Sequence, residues 1–594
     1  MTIEYRTPAG EFPLRQALAG AALFLQPTRD PMTEQTLQQQ RPWLNRYPDG
    51  VPVHLALDRF ASLADLLDQS FRQHAALPAM RFMGRDWSFG ELDRLSLRFA
   101  AFTQSLGLKP GDRVAVMLPN LPQYPVVVCG LIRAGLVVVN VNPLYTAPEL
   151  AHQLQDAGAK LLVVLENFAS VAEQVLPQLP GLQVLLTGVG DLLGPLKGTL
   201  VNALLRHVRK QVPPYRLPGA LRFDDALARG RRMPFAAPTL GPDTLAVLQY
   251  TGGTTGVSKG AMLLHRNLLA NVEQCAAWFE PARRTLIGQQ FTIVCALPLY
   301  HVFAFTACLL LGLRVGGCNI LIANPRDLAG TLKELSKQVF HFFPAVNTLY
   351  QALADHPDCA TVNWRHLRVS VGGGMAVQQV TAERWKAVTG SGICMGYGLS
   401  ETSPVVSCSP VDMTDFDGTI GLPLPDTELA IFDDEGRRLG AGQIGEIAVR
   451  GPQVMAGYWR RPDETAIVLR GDGFFLTGDI GVMESDGRFR IVDRKKDMVL
   501  VSGFNVYPTE VEEVVSQLPG VLECAVTGVP DARSGEAVKL VVVRRDPALT
   551  EAAVRDWCHD RLTAYKRPRI VEFRDSLPKT NVGKVLRRAL REAA

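Results

Sequence analysis

The chain of 594 residues is longer than one hydrophobic core usually serves, so at least two domains are expected. Its 47% hydrophobic and 20% charged residues are ordinary for a globular protein and exclude disordered and collagen-like classes. A net charge of +4 gives no general case for nucleic-acid binding, and the ten cysteines include no C-x-x-C pair, so neither a zinc site nor a disulfide framework is indicated.

The N-terminal segment and the most apolar stretches bear on where the protein resides. Residues 17–25 resemble the apolar part of a signal peptide, but Glu4 and Glu11 precede them, so export is not expected. The stretches at 126–141 and 307–322 are interrupted by arginine and glycine, and neither is a convincing bilayer span. We therefore expect a cytoplasmic protein. Peripheral contact with the inner membrane and a homodimer stay open at this stage.

Hydrophobic patterning along the chain predicts an α/β fold. From about 80 to 325, short β-branched runs alternate with amphipathic stretches, which indicates buried strands separated by helices. The clearest strand candidates lie at 113–119, 136–141, 160–165 and 291–298. After 420 the strands become shorter and turns more frequent, and this predicts a smaller β-rich subdomain that includes 428–436 and 445–451.

Domain boundaries follow from the same changes in pattern. Folded-looking sequence begins near Trp43, so residues 1–42 are expected to form an N-terminal extension. The charged segment 493–497 precedes a compact tail of βα type. We therefore expect a large domain over 43–492 and a small α+β domain over 493–594.

The segment 250–260, Y-T-G-G-T-T-G-V-S-K-G, is typical of a phosphate-binding loop. Glycines let a backbone approach phosphate oxygens, hydroxyl groups donate to them, and Lys259 supplies a mobile positive charge. The order differs from a Walker A loop, because Lys259 follows Ser258 and precedes Gly260. A plain surface loop is the alternative interpretation of this segment taken alone.

Two later segments have the residue types of a nucleotide pocket. In G-Y-G-L-S-E-T (396–402), Tyr397 can stack on a purine, Ser400 can donate to a phosphate, and Glu401 can hold Mg²⁺ through its oxygens. The alternative is an ordinary turn with a helix N-cap. Just upstream, V-G-G-G-M (371–375) places glycines after a strand-like run, as one wall of such a pocket requires.

Near the C-terminus, three charged residues suit the rest of a nucleotide. Asp479 follows Thr-Gly and can accept protons from both ribose hydroxyls, and Arg494 lies fifteen residues further on with the reach to join it. Lys584, in P-K-T-N-V-G-K, follows a glycine turn and can stabilise charge developing on a phosphoanhydride. Taken alone, such a lysine is more often simply solvated.

In their order and spacing, these segments resemble the adenylate-forming superfamily of acyl-CoA synthetases, adenylation domains and luciferases. The resemblance covers about 43–594, and context such as S-G-F-N-V-Y-P (502–508) is similar to bacterial long-chain fatty-acid–CoA ligases of β-oxidation. The stretch 472–512 looks like the fatty-acyl-CoA synthetase signature. Departures are modest: Phe474 and Leu476 stand where that signature usually has Trp and His, and Ser400 replaces Thr while keeping the hydroxyl. The resemblance implies that the small C-terminal domain is mobile.

The resemblance also implies a reaction: a fatty acid is activated with Mg-ATP to an acyl adenylate, and the acyl group passes to CoA. It implies that Lys584, Glu401 and His301 are catalytic, that Thr251 and Glu401 serve Mg²⁺, that Lys496 is the hinge and that Gly503 lines the pantetheine tunnel. Residues implied to contact ATP or its parts are Thr251, Gly252, Gly253, Thr254, Thr255, Gly256, Lys259, Gly374, Tyr397, Ser400, Asp479 and Arg494.

Two other functions stay open from the sequence. One is another acyl-adenylating enzyme, specific for a medium-chain or aryl acid or loading a carrier protein. The second is an inactive acyl-ligand binding or transport subunit, which the retention of Glu401, Asp479, Arg494 and Lys584 disfavours. Preferred chain length is not evident, although apolar residues over 301–350 are candidates for the wall of an acyl tunnel.

The candidates for the tunnel wall are Phe303, Phe305, Phe342, Phe343 and Leu349, with ordinary core packing as the alternative for each. Relatives tend to have glycine where this chain has Ala345, and if that position faces the tunnel, the extra methyl group would shorten the accepted chain. Segment 196–212 predicts an amphipathic helix whose face contains Leu196, Leu200, Val201, Leu204, Leu205, Val208 and Val212, flanked by Lys197, Arg206, Arg209 and Lys210. Such a helix suits an anionic membrane surface, the alternative being a surface helix packed on its own domain.

Overall fold

The computed structural model describes residues 41–251, 258–413, 415–531, 533–580 and 585–591. Within these ranges, the strands form sheets of seven, nine, five and five strands. Helices cover the faces of the two larger sheets, so the prediction of an α/β fold with a β-rich part after 420 is confirmed. No helix in the described ranges has both the length and the apolar character needed to cross a membrane.

The first part of the chain builds a seven-stranded sheet. A hairpin of β1 (Pro78–Phe82) and β2 (Arg85–Ser88) precedes it and joins the nine-stranded sheet. The seven strands are β3 (Arg113–Met117), β4 (Val137–Asn140), β5 (Ala159–Leu165), β6 (Gln183–Thr187), β7 (Leu221–Arg222), β8 (Leu245–Thr251) and β9 (Lys259–Leu264). Their order is β7-β6-β5-β3-β4-β8-β9, and all pairs are parallel except β8 with β9. The strand predictions at 113–119, 136–141 and 160–165 are confirmed.

The helices of this region are α1 (Leu63–Gln73), α2 (Phe89–Ser105), α3 (Gln123–Arg133), α4 (Ala147–Ala157), α5 (Ala169–Val175), α6 (Pro195–Ala203) and α7 (Phe223–Gly230). Ser62 caps α1, because its side chain accepts a hydrogen bond from Asp65 N. Ser88 and Glu91 form a capping box at the start of α2. Helix α4 ends at Gly158, whose φ of 61° is the left-handed conformation that glycine adopts without penalty.

Helix α6 differs from the predicted helix over 196–212. It continues as a π-helix over Leu204–Val208 and ends at Arg209. Gly198 is buried against Gly190, so this side of the helix packs on the domain. The predicted single apolar face is therefore split. Its half-buried members are Val201, Leu205 and Val212, and its exposed members are Leu196, Leu200, Leu204 and Val208.

The nine-stranded sheet follows in the chain. Its remaining strands are β10 (Thr292–Cys295), β11 (Cys318–Leu321), β12 (Phe342–Ala345), β13 (Val369–Gly372), β14 (Ile393–Gly398), β15 (Val405–Cys408) and β16 (Leu422–Pro423), in the order β16-β15-β14-β13-β12-β10-β11-β1-β2. Its helices are α8 (His265–Trp278), α9 (Glu280–Arg283), α10 (Val302–Ala304), a π-helix (Phe305–Leu310), α11 (Leu311–Val315), α12 (Leu328–Leu335), α13 (Asn347–Asp355) and α14 (Gln379–Thr389). The strand prediction at 291–298 is confirmed as β10.

Two smaller sheets complete the fold. The first contains β17 (Glu428–Phe432), β18 (Arg438–Leu439), β19 (Ile444–Arg450), β20 (Phe475–Met483) and β21 (Phe489–Arg494), with α15 (Pro462–Val468) beside it. The second contains β22 (Val499–Val501), β23 (Phe504–Val506), β24 (Val521–Asp531), β25 (Gly535–Arg544) and β26 (Ile570–Arg574), with α16 (Pro508–Ser516), α17 (Glu551–Arg561) and α18 (Arg587–Arg591).

Short 3₁₀ turns link these elements, and separate hydrophobic clusters stabilise them. The 3₁₀ turns are Pro42–Arg46, Glu166–Phe168, Leu176–Gln178, Pro357–Thr361, Trp364–His366, Ser400–Thr402 and Ala564–Lys566. The largest cluster runs from Trp43 to Phe489 and connects the large sheets with the first small one. The sheet that starts at Val499 has a cluster of its own, running to Leu562. The C-terminal sheet therefore holds its own core.

Strand ends position the functional site. In parallel sheets the carboxyl ends of the strands share one edge, and ligands bind there. Strand β8 ends at Thr251, β13 at Gly372 and β14 at Gly398. The motifs singled out from the sequence therefore follow directly from strands that converge on one region.

Candidate active site

A cavity of about 1240 Å³ lies where these strand ends meet. Most of the predicted site residues line it, drawn from segments hundreds of residues apart in the chain. Those residues are Thr251, Lys259, His301, Gly374, Tyr397, Ser400, Glu401, Asp479, Arg494 and Lys496.

Asp479 and Arg494 lie directly opposite each other on β20 and β21. Arg494 Nε is 3.1 Å from Asp479 Oδ1, and the Tyr397 hydroxyl donates to Asp479 Oδ2 at 2.8 Å. Burial, and then the neighbouring Asp479 carboxylate, raise the pKa of Tyr397 well above its usual value, so the hydroxyl stays a donor. The carboxylate is thus held in one orientation at the cavity wall, with an acceptor geometry that suits a diol.

Glu401 lies in the 3₁₀ turn Ser400–Thr402 that follows β14. Its carboxylate accepts a hydrogen bond of 2.8 Å from the Tyr458 hydroxyl, and its backbone carbonyl accepts one from Met455 N. Burial raises the pKa of Glu401 and outweighs the opposing hydrogen bond from Tyr458. Ser403, two residues after Glu401, has a φ of 71°, which is uncommon for a residue with a side chain. The turn thus presents a desolvated carboxylate to the cavity.

Strands β8 and β9 flank the glycine-rich segment. Thr251 and Lys259 are paired across this ladder, and Ser258 Oγ donates to the Thr251 carbonyl at 2.6 Å. The Lys259 ammonium pairs with Glu464 and lies 5.1 Å from the centre of the Tyr458 ring. Gly252, Gly253, Thr254, Thr255 and Gly256 lie outside the described residues, as does Lys584.

Apolar side chains line another part of the same cavity. Phe279 and Phe342 are buried there with ring centres 4.9 Å apart, and Phe303 lines the same cavity. His301 lines the cavity near Phe303, whose backbone N–H donates to His301 Nδ1 at 3.4 Å. One cavity therefore joins polar and apolar portions, as a substrate with a long hydrocarbon tail and a nucleotide would require.

Several of the tunnel candidates prove to lie elsewhere. Residues alternate between the two faces of a strand, so Phe342 on β12 faces the cavity, whereas Phe343 and Ala345 pack in a second cluster with Tyr350. Among the described residues that line the cavity, Phe305, Phe343, Leu349 and Ala345 do not appear. Ala345 therefore does not meet the condition, facing the tunnel, under which its methyl group would shorten the accepted chain.

Gly503 is likewise not among the described cavity-lining residues. It is exposed in the turn between β22 and β23, with a φ of 83°, and a Cβ placed there would meet no described heavy atom within 4 Å. The C-terminal sheet instead reaches the cavity through Lys579, Thr580, Val585 and Leu586.

The hinge candidate Lys496 follows β21 and lines the cavity. Partial burial, and then the nearby Arg494, lower the pKa of the Lys496 ammonium. The preceding Lys495 pairs with Asp434 at 2.8 Å and Glu446 at 3.2 Å on the first small sheet. These contacts place the connection between the two small sheets at the cavity rim.

Sequence reasoning missed the segment G-Y-W-R-R-P (457–462). The Tyr458 hydroxyl donates a hydrogen bond to the Glu401 carboxylate, and Trp459 Nε1 donates one to the Asp156 backbone carbonyl. Arg461 lines the cavity. A glycine followed by two aromatic residues and two arginines was the available signal, but nothing in the sequence shows that it docks on β9.

Comparison with known proteins agrees with this geometry. The model of the AMP-binding enzyme family matches residues 67–459, and that of the AMP-binding enzyme C-terminal domain matches 510–584. The "Long-chain-fatty-acid--CoA ligase" of Escherichia coli O157:H7 is 52% identical over 93% of this chain and 98% of its own length. The ligase of the same description from Bacillus subtilis is 38% identical over 94% of this chain and 98% of its own.

Solved structures agree as well. ATP-bound MatB from Rhodopseudomonas palustris superposes with a TM-score of 0.77 at 31% identity, covering 89% of this chain and 98% of that one. The fold and the cavity at the strand ends agree with these matches. The alignment with the ligase of Escherichia coli O157:H7 also covers nearly the whole chain at 52% identity. The chain therefore belongs to the AMP-binding enzyme family, within its group of long-chain-fatty-acid–CoA ligases.

Proposed function

We propose that the protein activates long-chain fatty acids for β-oxidation in two half-reactions at this cavity. In the first, a carboxylate oxygen of the fatty acid attacks the α-phosphorus of ATP, the bond to pyrophosphate breaks, and an acyl adenylate forms. In the second, the thiol of CoA loses its proton and attacks the acyl carbonyl carbon, and AMP leaves with the electron pair of the broken C–O bond. The supporting observation is that one cavity joins the Tyr397–Asp479–Arg494 cluster to apolar walls.

At the polar part, each residue has a role that its contacts support. Tyr397 and Arg494 hold the Asp479 carboxylate in place, and this carboxylate accepts hydrogen bonds from the ribose hydroxyls. Gly374 has a φ of 77° and lets the backbone pass close to AMP, with Ser400 beside it. Thr251 and Lys259 hold the β- and γ-phosphates with the glycines between them. These groups position the reactants, which supplies most of the rate in such transfers.

The apolar part takes the hydrocarbon chain. Phe279, Phe303 and Phe342 line it, and His301 lines the cavity next to Phe303, whose backbone N–H donates to His301 Nδ1. Each buried methylene group contributes about 0.8 kcal/mol, so binding of a long acid is dominated by this wall. His301 then borders the carboxylate of a bound acid and helps to orient it.

The donor set beside the phosphates also suits Mg²⁺, which would be held by Glu401 and Thr251. Carboxylate and hydroxyl oxygens are the hard ligands this cation prefers, and a nearby cation would offset the cost of burying the Glu401 charge. When bound, the ion neutralises negative charge on the phosphates. Glu401 and Thr251 keep their positions through Tyr458 and the β8–β9 ladder.

Residues 493–594 act as a lid domain that changes position between the half-reactions. This proposal is supported by the separate core of the second small sheet and by the Lys495 and Lys496 contacts at the rim. In the orientation described here, Lys579 and Thr580 face the cavity. Lys584 follows them in the sequence and is assigned to adenylation in this proposal. In the other orientation, the turn at Gly503 reaches the cavity and borders the CoA pantetheine.

Helix α6 and its π-helical extension support peripheral binding to the cytoplasmic face of the inner membrane. Leu196, Leu200, Leu204 and Val208 recur every four residues and are 88%, 70%, 43% and 69% exposed. Lys197, Arg206, Arg209 and Lys210 are also exposed along this segment. An apolar stripe among cations can insert at the headgroup boundary, where long-chain acids partition.

Pyrophosphate release in the presence of oleate tests the reaction. With CoA present, we expect continuous release. Without CoA, we expect a single burst equal to the enzyme concentration, because the adenylate stays bound. Release with a medium-chain or aryl acid but not with oleate would contradict the long-chain proposal. Oleate binding without any release would indicate an inactive acyl-binding protein, and turnover only with an acyl carrier protein would indicate a carrier-loading enzyme.

A further inference from the structure

Arg461 is a cation at the cavity to which none of the roles above assigns a function. The segment before it is fixed along β9: Trp459 N donates to the Gly260 carbonyl at 2.8 Å, and Ala456 N donates to the Met262 carbonyl at 3.0 Å. Arg461 follows directly and lines the cavity together with Lys259. Its position therefore derives from the backbone pairing of the segment that precedes it.

The charges around Arg461 are arranged as two cations and two carboxylates. The guanidinium group lies 3.6 Å from Glu464 and 3.7 Å from Asp156. Glu464 also pairs with Lys259, so one carboxylate serves both cations. Asp156 additionally accepts a hydrogen bond of 2.5 Å from the Tyr250 hydroxyl. Glu464 is thus the shared partner of Lys259 and Arg461, two of the cations that line the cavity.

These ion pairs contribute little to folding. The side chains of Arg461 and Glu464 are 38% and 33% exposed, and long, partly solvated pairs of this kind are typically worth less than about 1 kcal/mol. A guanidinium group binds a phosphate with two parallel donors, which is a stronger contact than a carboxylate beyond 3.5 Å. A polyphosphate would therefore compete well with Glu464 for both cations.

We propose that Arg461 is a second cationic ligand, with Lys259, for the pyrophosphate portion of ATP, and that Glu464 is the anion it displaces. This inference rests on the proposed placement of the β- and γ-phosphates between Thr251 and Lys259. Negative charge grows on the departing pyrophosphate as its bond to the α-phosphorus breaks, and two fixed cations stabilise that charge without reorganisation. Arg461 thereby helps to release the leaving group.

The test compares four single variants of the full chain, with inorganic pyrophosphate as the probe. Arg461→Gln removes the proposed ligand, and Glu464→Gln removes the competing anion. Arg460→Gln is the matched control, because Arg460 is an adjacent exposed arginine that packs on Trp459 and is not among the cavity-lining residues. Lys259→Gln tests the placement of the phosphates independently.

Inhibition by pyrophosphate and the KM for ATP are measured for each variant, with thermal unfolding as a check on folding. We expect Arg461→Gln to weaken pyrophosphate inhibition and raise the KM for ATP about 10-fold, the loss of one charge-assisted contact. Glu464→Gln should change both quantities in the opposite direction, and Arg460→Gln should match the unmodified protein. The KM values for oleate and CoA should stay constant.

Opposite effects of Arg461→Gln and Glu464→Gln would support the inference, since a purely structural role of this ion-pair cluster would weaken both variants alike. Arg461→Gln values equal to those of Arg460→Gln would overturn it. If Glu464→Gln weakens pyrophosphate binding, the displacement of Glu464 is wrong. Unchanged values for Lys259→Gln would contradict the proposed phosphate placement, whatever the result for Arg461.

Discussion

At the scale of single residues, Glu401 shows that a site can oppose stability. Burial raises its pKa above the ordinary value of 4.5. For a carboxyl group with a raised pKa in the folded state, the favourable contribution is present below the ordinary pKa and is lost as pH rises through the raised one. At neutral pH the ionised Glu401 therefore reduces the stability of the ligand-free fold.

Replacing Glu401 by Gln should separate stability from activity. The amide oxygen can still accept a hydrogen bond from the Tyr458 hydroxyl. We therefore expect the ligand-free variant to unfold at a higher temperature than the unmodified protein, and we expect this difference in unfolding temperature to increase from pH 5 to pH 8. Adenylation should fall by about 100-fold or more, because a charged group at the phosphates is lost. Stabilisation by Mg-ATP should also shrink. A variant that is less stable at both pH values would contradict this account.

Chain-length selection also belongs to single side chains. Phe342→Leu replaces an aromatic ring at the wall of the apolar part by a smaller side chain, which leaves room for a longer acid. We expect the affinity for an acid two methylenes longer than the preferred acid to rise about 10-fold relative to the affinity for the preferred acid, at about 0.8 kcal/mol per methylene. Ala345→Gly is the matched control, since Ala345 lies on the other face of β12. Competition among C8 to C18 acids measures this. A changed profile in the control, or none in Phe342→Leu, would contradict the assignment.

At the scale of elements, the helix at 195–208 has to be tested through residues that do not hold the fold together. Arg206 pairs with Glu166, which is buried and also pairs with Arg222. Although burial alone would raise the pKa of Glu166, the two guanidinium groups hold it below the usual value. Reversing Arg206 would leave this carboxylate poorly compensated inside the protein, so Arg206 is a poor choice for charge reversal.

Vesicle sedimentation with better-chosen variants tests membrane binding. Leu196→Ser with Leu200→Ser should weaken binding to anionic vesicles, because both side chains are at least 70% exposed and have little packing to lose. The double variant Arg209→Glu with Lys210→Glu should weaken vesicle binding more at low salt than at high salt, because salt screens the electrostatic attraction to the anionic lipid. Equal sedimentation of both double variants and the unmodified protein would exclude this helix as the membrane contact.

At the scale of the whole molecule, the proposed lid motion requires one chain to present two different surfaces to one cavity. The C-terminal sheet has its own core, and Arg587 joins its last described segment to Asp497 at 3.2 Å and Glu512 at 2.8 Å. Because these pairs lie within residues 493–594, the proposed motion would leave them in place. It would change the contacts around Lys495 and Lys496 and those that Lys579 and Thr580 make at the cavity.

Variants in the two lid surfaces should fail in opposite half-reactions. Lys584→Ala should abolish ATP-dependent adenylate formation and leave thioester formation from supplied acyl adenylate largely intact. Gly503→Leu should do the reverse, although its φ of 83° adds local strain of about 1–2 kcal/mol in an exposed turn. Single-turnover assays of each step measure this. Loss of both steps in either folded variant would argue against a moving lid.

Motifs and patterning were sufficient to predict the α/β class, the family and ten of the described site residues that line the cavity. Glycine-rich segments and hydrophobic periodicity depend on local backbone requirements, which a sequence records directly. Asp479 and Arg494 were paired from their spacing alone, and the structure places them opposite each other on neighbouring strands.

Other features depended on contacts between distant segments, which no local pattern records. The face of β12 decided that Phe342, and not Ala345, lines the cavity. Packing of Gly198 on Gly190 decided which leucines of the helix stay exposed, and docking of 456–459 on β9 brought Tyr458 and Arg461 to the site. The sequence by itself determined the chemistry available, because that depends on residue type. Only the tertiary structure decided which side chains share the cavity, because that depends on which surfaces pack together.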